Sequence, residues 1–394
     1  MHISTPSPSS AFLFALGLAV ALTACSDDAG GQSTSTDGTS SNTTAMTPTG
    51  ATSSTPSDTS AGSASGSSGS QQDETGLDTT ETETGGPAWD GYFPPESPWY
   101  LDHSDAPVHP DSDAIVGWLE TAGWGGGDQM RIDFSIEVLE ANLETPRRSF
   151  EATGDFFSPD CDYVPVPVPE GGVLEGEEGY ACESDGDCHL IVVDREERRL
   201  YEMWRANIQG ETFFGGCLAV WDMDMVYPDI GRGDGCTSAD AAGFPIAPLV
   251  FTADEVAQGE INHAIRFILP NANIRNLIYT RPATHSTGAT SAPAPAPPYG
   301  VHLRLRPDYD LDSLPSDGAR VVAQALQRHG MFLADGGQIT LTAQSDRYST
   351  ASWEGLLDPY DLSAIRPLDF EVIDWGPDID WSTVDCEREP LGSP

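Results

Sequence analysis

The chain has 394 residues, 62 Asp and Glu against 18 basic residues, and a formal net charge of −44. All 18 basic residues are Arg, so lysine-dependent chemistry is excluded: no phosphate-loop lysine, no Schiff base and no Ser–Lys dyad. A surface this acidic repels phosphate backbones, which excludes nucleic acid as a partner.

Residues 11–22, AFLFALGLAVAL, form an apolar run too short to span a bilayer but suited to the core of a signal peptide. It ends in Leu22-Thr23-Ala24-Cys25, which resembles the lipobox of bacterial lipoproteins. That resemblance implies cleavage after residue 24, lipidation of Cys25 and anchoring in the bacterial envelope. Ser26, rather than Asp, after the Cys implies the outer membrane. The segment before the apolar run lacks Arg, a departure from the usual basic start.

Residues 25–87 are rich in Ser, Thr and Gly and carry almost nothing to bury. Such a chain does not offset its ordering entropy and is expected to be a disordered tether with a root-mean-square reach of about 45 Å. Nine acids lie in the tether and none before it, which leaves 53 against 18 Arg, a net −35, for residues 88–394. Those residues are read as a single extracytoplasmic domain.

Strand signals dominate this domain. Residues 130–138 alternate apolar and polar, as a half-buried strand does. His189–Val193 and Leu200–Trp204 flank the charged run 194–199 and read as a hairpin. Further strands are expected at 218–224, 261–269, 277–280, 301–305 and 339–342. Thr252-Ala-Asp-Glu255 has capping-box spacing before a short helix ending at Gly259, and Ser316 caps a second helix that ends at Gly330. The pattern predicts a mainly β fold, a β-sandwich of jelly-roll type with a few short helices; α+β is the alternative.

With Cys25 assigned to lipid, Cys161, Cys182, Cys188, Cys217, Cys236 and Cys386 form an even set in an oxidising compartment. Proximity in sequence pairs Cys182 with Cys188 and Cys217 with Cys236, and elimination pairs Cys161 with Cys386.

Several familiar catalytic signatures are absent, among them HExxH and GxSxG. What remains are polar residues inside apolar segments. On a strand, Glu260, Asn262 and Arg266 share one face, and His263 lies on the other. The small-residue segment Gly235–Gly243, with Ser238 and Asp240, predicts a tight loop that lets backbone approach a neighbour closely. His189, His263 and His285 could together hold Zn or Cu. Asp185 and Asp187 look like part of a calcium loop, although the full pattern is missing.

The blocks Cys188–Arg195, Thr237–Gly243, Gly259–Ala264 and Gly330–Asp335 resemble a family of secreted bacterial and fungal proteins without an assigned activity. The resemblance spans about residues 95–375. It implies one contiguous functional unit and transfers no catalytic residue.

The expected function is a surface-tethered, carbohydrate-active hydrolase. Its carboxylate pair is Glu260 with Glu202 or Asp240, and Asn262, Arg304 and His285 orient an extracellular glycan. The alternatives are a non-catalytic glycan-binding or adhesive module, and a metalloprotein built on the three histidines.

Overall fold

The structure is a computed structural model that describes residues 89–184 and 186–394, which fall within one compact unit. The segments expected to be a signal peptide and a tether, with Cys25, and also Asp185, lie outside the described residues.

The fold is mainly β with a few short helices, as the alternation of apolar residues predicts. Taken in chain order, the larger elements are α1 (Ser112–Ala122), β1 (Ile132–Ile136), β2 (Val138–Ala141), β3 (Leu190–Asp194), β4 (Arg199–Trp204) and β5 (Cys217–Asp222). Then follow α2 (Ala253–Gln258), β6 (Ile265–Leu269), β7 (His302–Leu305), α3 (Asp317–Arg328), β8 (Met331–Gly336), β9 (Leu341–Gln344) and β10 (Phe370–Val372). One sheet has six strands in the order β1-β9-β6-β8-β7-β10, and a second has four in the order β5-β4-β3-β2. Both sheets are mixed. β1 with β9, β6 with β8 and β2 with β3 pair in parallel, and the remaining pairs are antiparallel.

Residues 130–138 do not make one strand. The alternating stretch leaves the six-stranded sheet at Ile136 and enters the four-stranded sheet at Val138. Glu137, at the changeover, is buried and accepts from Ser345 Oγ (2.9 Å) and Arg347 Nε (3.2 Å).

The β3–β4 hairpin forms as expected, and its apolar run is continuous for a physical reason. Ile191, Val193 and Leu200 join the large core shared with the six-stranded sheet, while Leu190, Val192, Tyr201 and Met203 join a second core on the opposite face. A strand buried on both faces carries no polar alternation. α1 packs beside β10, and α3 covers β7 and touches α2. Ser316 and Thr252 cap their helices as predicted, and Thr252 with Glu255 closes a full capping box.

Three disulfides form, as an oxidising extracytoplasmic environment allows. Cys182 pairs with Cys188 as proximity predicts. The other two pairings differ from those expected: Cys161 joins Cys217, and Cys236 joins Cys386. The segment at 161–162 runs along the start of β5, where Asp162 N donates to Leu218 O (2.7 Å), and this brings Cys161 to Cys217. The C-terminal segment instead lies against the loop at 233–236. A Cβ added to Gly235, at φ +72°, would meet the Asp385 backbone at 2.9 Å. Among the described residues, no helix is long and apolar enough to cross a membrane.

Candidate functional site

The Gly235–Gly243 loop closes tightly, as its small residues predict. The Ser238 hydroxyl accepts from Asp240 N (3.0 Å) and donates to Phe244 O (2.6 Å). Gly243 lies at φ +84°, and a Cβ there would meet Thr284 Oγ1 at 2.1 Å, so the close approach is to Thr284. Ala242 N donates to Ala334 O (2.8 Å), which docks the loop on β8.

This docking gathers three charged groups. Arg266 on β6 reaches Asp240 through two parallel bonds, Nε to Oδ2 and Nη2 to Oδ1, both 3.0 Å. The same Nη2 lies 3.4 Å from Asp335 Oδ2, at the end of the neighbouring parallel strand β8. Arg266 and Asp240 are buried, whereas Asp335 keeps 26% of its side chain exposed. Burial, and then the charge of Asp240, hold the Asp335 carboxyl well above the usual carboxylate range, against the pull of Arg266. Both effects favour the protonated form of the Asp335 carboxyl.

Asp335 opens on a cavity of about 700 Å³. Asp187 and Trp204 also line it; the indole Nε1 of Trp204 donates to the Asp187 carboxylate, whose charge acts on Asp335. Asp160, His285, Trp381 and Asp385 line another part of the cavity. Cys217 and Cys386 also reach the wall, so two disulfides hold its rim.

A buried support lies beneath the loop. His189 Nδ1 donates to Glu175 (2.5 Å) and Nε2 donates to Ala239 O (3.1 Å). Only the imidazolium donates from both nitrogens. Burial alone would lower the His189 pKa; the charge and hydrogen bond of Glu175 outweigh it and raise the pKa to about 9. The imidazolium thereby fixes the residue preceding Asp240.

Of the residues singled out from sequence, Asp240, His285 and Asp187 belong to the cavity, Asp187 coming from the partial calcium-loop pattern. Glu202 does not line it. It lies fully buried on β4 and accepts from Ile246 N (2.7 Å), Ala247 N (2.9 Å) and Trp221 Nε1 (2.9 Å), tying a turn to the sheet. Burial raises its pKa to about 7 against those three donors. Glu260 is 61% exposed and pairs with Arg328 (3.1 Å), which also donates to Asn262 (3.4 Å). Both precede β6 in irregular backbone, so the shared strand face expected for Glu260, Asn262 and Arg266 does not exist. Arg304 is consumed by Glu371 (2.6 and 2.9 Å) and by the carbonyls of His103, Ser104 and Ala106. Glu260, Asn262 and Arg304 thus leave the site.

The three histidines do not assemble. His189 is engaged as above, His263 bridges Glu255 (3.2 Å) and Ala264 O (2.7 Å), and His285 Nδ1 donates to Ala241 O (2.7 Å). Among the described residues, the two groups of three ligand-type side chains are Asp160 with Cys236 and Cys386, and Glu177 with Cys182 and Cys188. Each contains a disulfide, whose sulfurs are not the thiolates that bind Zn or Cu. Neither group, therefore, is a fit for Zn, Cu or Ca.

Sequence reasoning missed Asp335, Trp204 and Trp381, and it placed Arg266 on the wrong face partners. The signal that could have found Asp335 is the acid closing the apolar run Met331–Ala334, a strand end carrying a carboxylate. No family model, no curated protein and no solved structure matches this chain.

Proposed function

We propose that the protein is a carbohydrate-active hydrolase whose carboxylate pair is Asp335 and Asp187. The observation that carries this reading is a cavity lined by Asp335, Asp187 and two indoles, in which burial raises the proton affinity of the Asp335 carboxyl. Trp204 and Trp381 bring indole rings to the cavity, the kind of side chain on which sugar rings stack, and about 700 Å³ admits a short oligosaccharide. Asp335 gives its proton to the glycosidic oxygen as the bond to the anomeric carbon breaks. Asp187 takes a proton from the water that adds to that carbon. Asp240 stays tied to Arg266, and its charge adds to burial in favouring the protonated form of Asp335.

The test is release of new reducing ends from a broad polysaccharide panel, run beside a glycan array. Turnover supports the hydrolase. Retention on the array without turnover points to a glycan-binding module instead, and the absence of both turnover and retention would contradict any role for sugars.

We also propose that Cys25 carries lipid and anchors the domain to the outer membrane, with residues 26–87 as the tether. The three disulfides support an extracytoplasmic body. Labelled palmitate should enter the wild-type chain and be lost in Cys25→Ser, with the protein shifting to the soluble fraction. Unchanged membrane association would contradict the anchor.

A further inference from the structure

The cavity divides chemically into two parts. One holds Asp335, Asp187 and Trp204: the indole donates to Asp187, whose charge in turn acts on Asp335. The other is built on the C-terminal segment. His285 meets Trp381 edge-on with ring centroids 4.7 Å apart, and Trp381 Nε1 donates to Gly235 O (3.5 Å), the residue that packs against Asp385. Asp160 lines this second part and is the acid whose charge acts on His285.

The charges of this second part are one-sided. Among the residues lining the cavity none is Arg. The guanidiniums behind the wall are already committed. Arg232 (2.6 Å) and Arg388 (2.7 Å) both bind Asp162, and their other bonds go to backbone carbonyls of Pro159, Asp160 and Thr237. Arg281 binds Asp234 (2.8 Å). Asp160 accepts one bond, from Thr237 N (2.9 Å), a neutral donor. His285 adds no positive charge at neutral pH, because burial lowers its pKa. Trp204 already carries a cation, Arg205, at 5.0 Å over its ring, whereas Trp381 lines the cavity together with Asp160 and Asp385. An indole flanked by acids in a cavity attracts organic ammonium groups through both the ring quadrupole and charge. The net −35 of residues 88–394 favours the approach of cations to the body.

We propose that the Trp381, Asp160 and Asp385 part of the cavity is a subsite for a protonated amine, so that the preferred substrate is an amino sugar polymer bearing free ammonium groups. This assignment rests on the saccharide reading above and names its substrate class. The glycosidic bond then lies against Asp335 and Asp187, and the ammonium of an adjoining residue lies against Trp381. Asp335 is left free of the ammonium charge, which would otherwise strip its proton.

The experiment is titration calorimetry on the full-length, detergent-solubilised protein with three probes: β-1,4-linked glucosamine oligomers, the same oligomers N-acetylated, and spermidine. The glucosamine oligomer should bind at least about tenfold more tightly than its acetylated counterpart. The difference should shrink in Asp385→Asn, an exposed position, and in Asp160→Asn, which keeps the acceptor for Thr237 N; it should also shrink in high salt. Equal binding of the two oligomers, or a preference for the acetylated one, overturns the ammonium subsite while leaving the saccharide reading intact. Binding of spermidine with no binding of either sugar overturns the saccharide reading and the amino-sugar assignment with it. A preference for glucosamine that survives both substitutions overturns the placement at Trp381.

Discussion

Arg266 and Asp335 meet across neighbouring parallel strands, Nη2 to Oδ2 at 3.4 Å, although 69 positions separate them in sequence. The same guanidinium holds Asp240 by two bonds of 3.0 Å, so one positive charge faces two carboxyls. Burial first, and then that imbalance of charge, raise the proton affinity of Asp335, which lines the cavity.

Replacing Arg266 by Met should leave Asp240 buried and uncompensated. Removing one partner of a buried pair costs about 3–5 kcal/mol. Urea denaturation should report a loss of that size, with Arg266→Lys recovering part of it. A loss below about 1 kcal/mol would mean that the pair is not buried as described.

Asp335 should make stability depend on pH in a definite direction. Its folded pKa is raised, so the native state binds more protons than the unfolded chain above the ordinary carboxylate value of about 4. Stability attributable to this group therefore falls as pH rises from there. Asp335→Asn should match the parent near pH 4 and exceed it in melting temperature near pH 8. A variant less stable than the parent at pH 8 would contradict the shift.

The Glu175–His189 pair should make stability fall in a more alkaline window. His189 is raised from an unfolded value of about 6.5 to about 9. Its contribution is complete below pH 6.5 and is lost as pH climbs through about 9. In NMR titrations the His189 ring should titrate near 9, and Glu175→Gln should bring it well down. A ring titrating near 6.5 in the parent would show that the buried imidazolium does not form.

Cys386→Ser should destabilise more than Cys182→Ser. The Cys236–Cys386 bridge closes a sequence separation of 150, against 6 for Cys182–Cys188. Loss of the longer link should cost about 2–5 kcal/mol and weaken ligand binding, because Trp381, Asp385 and Cys386 form part of the cavity wall. Equal effects of the two substitutions would argue against a tail held in place by its disulfide.

The β-rich body was legible because strand alternation and the charged 194–199 turn are local signals. Both caps, at Thr252 and Ser316, were legible for the same reason. The cystine pairs other than Cys182–Cys188 were not, because they depend on which loops meet: the 161–162 segment on β5, and the tail on Gly235. At the site, Asp240 and His285 stood out as polar residues among small ones. Asp335 did not, since its importance comes from sharing Arg266 with a loop almost a hundred positions earlier. Glu260 stood out for a reason that failed: its segment is not a strand, so its polar neighbours face solvent and Arg328.

The most direct test of the carboxylate assignment is kcat/KM for Asp335→Asn and Glu260→Gln, measured side by side on whichever glycan is turned over. Loss of the proton donor should lower kcat/KM by about 10²–10⁴, while the exposed Glu260 variant stays close to the parent. Full activity in Asp335→Asn, or a large loss in Glu260→Gln alone, would contradict the account.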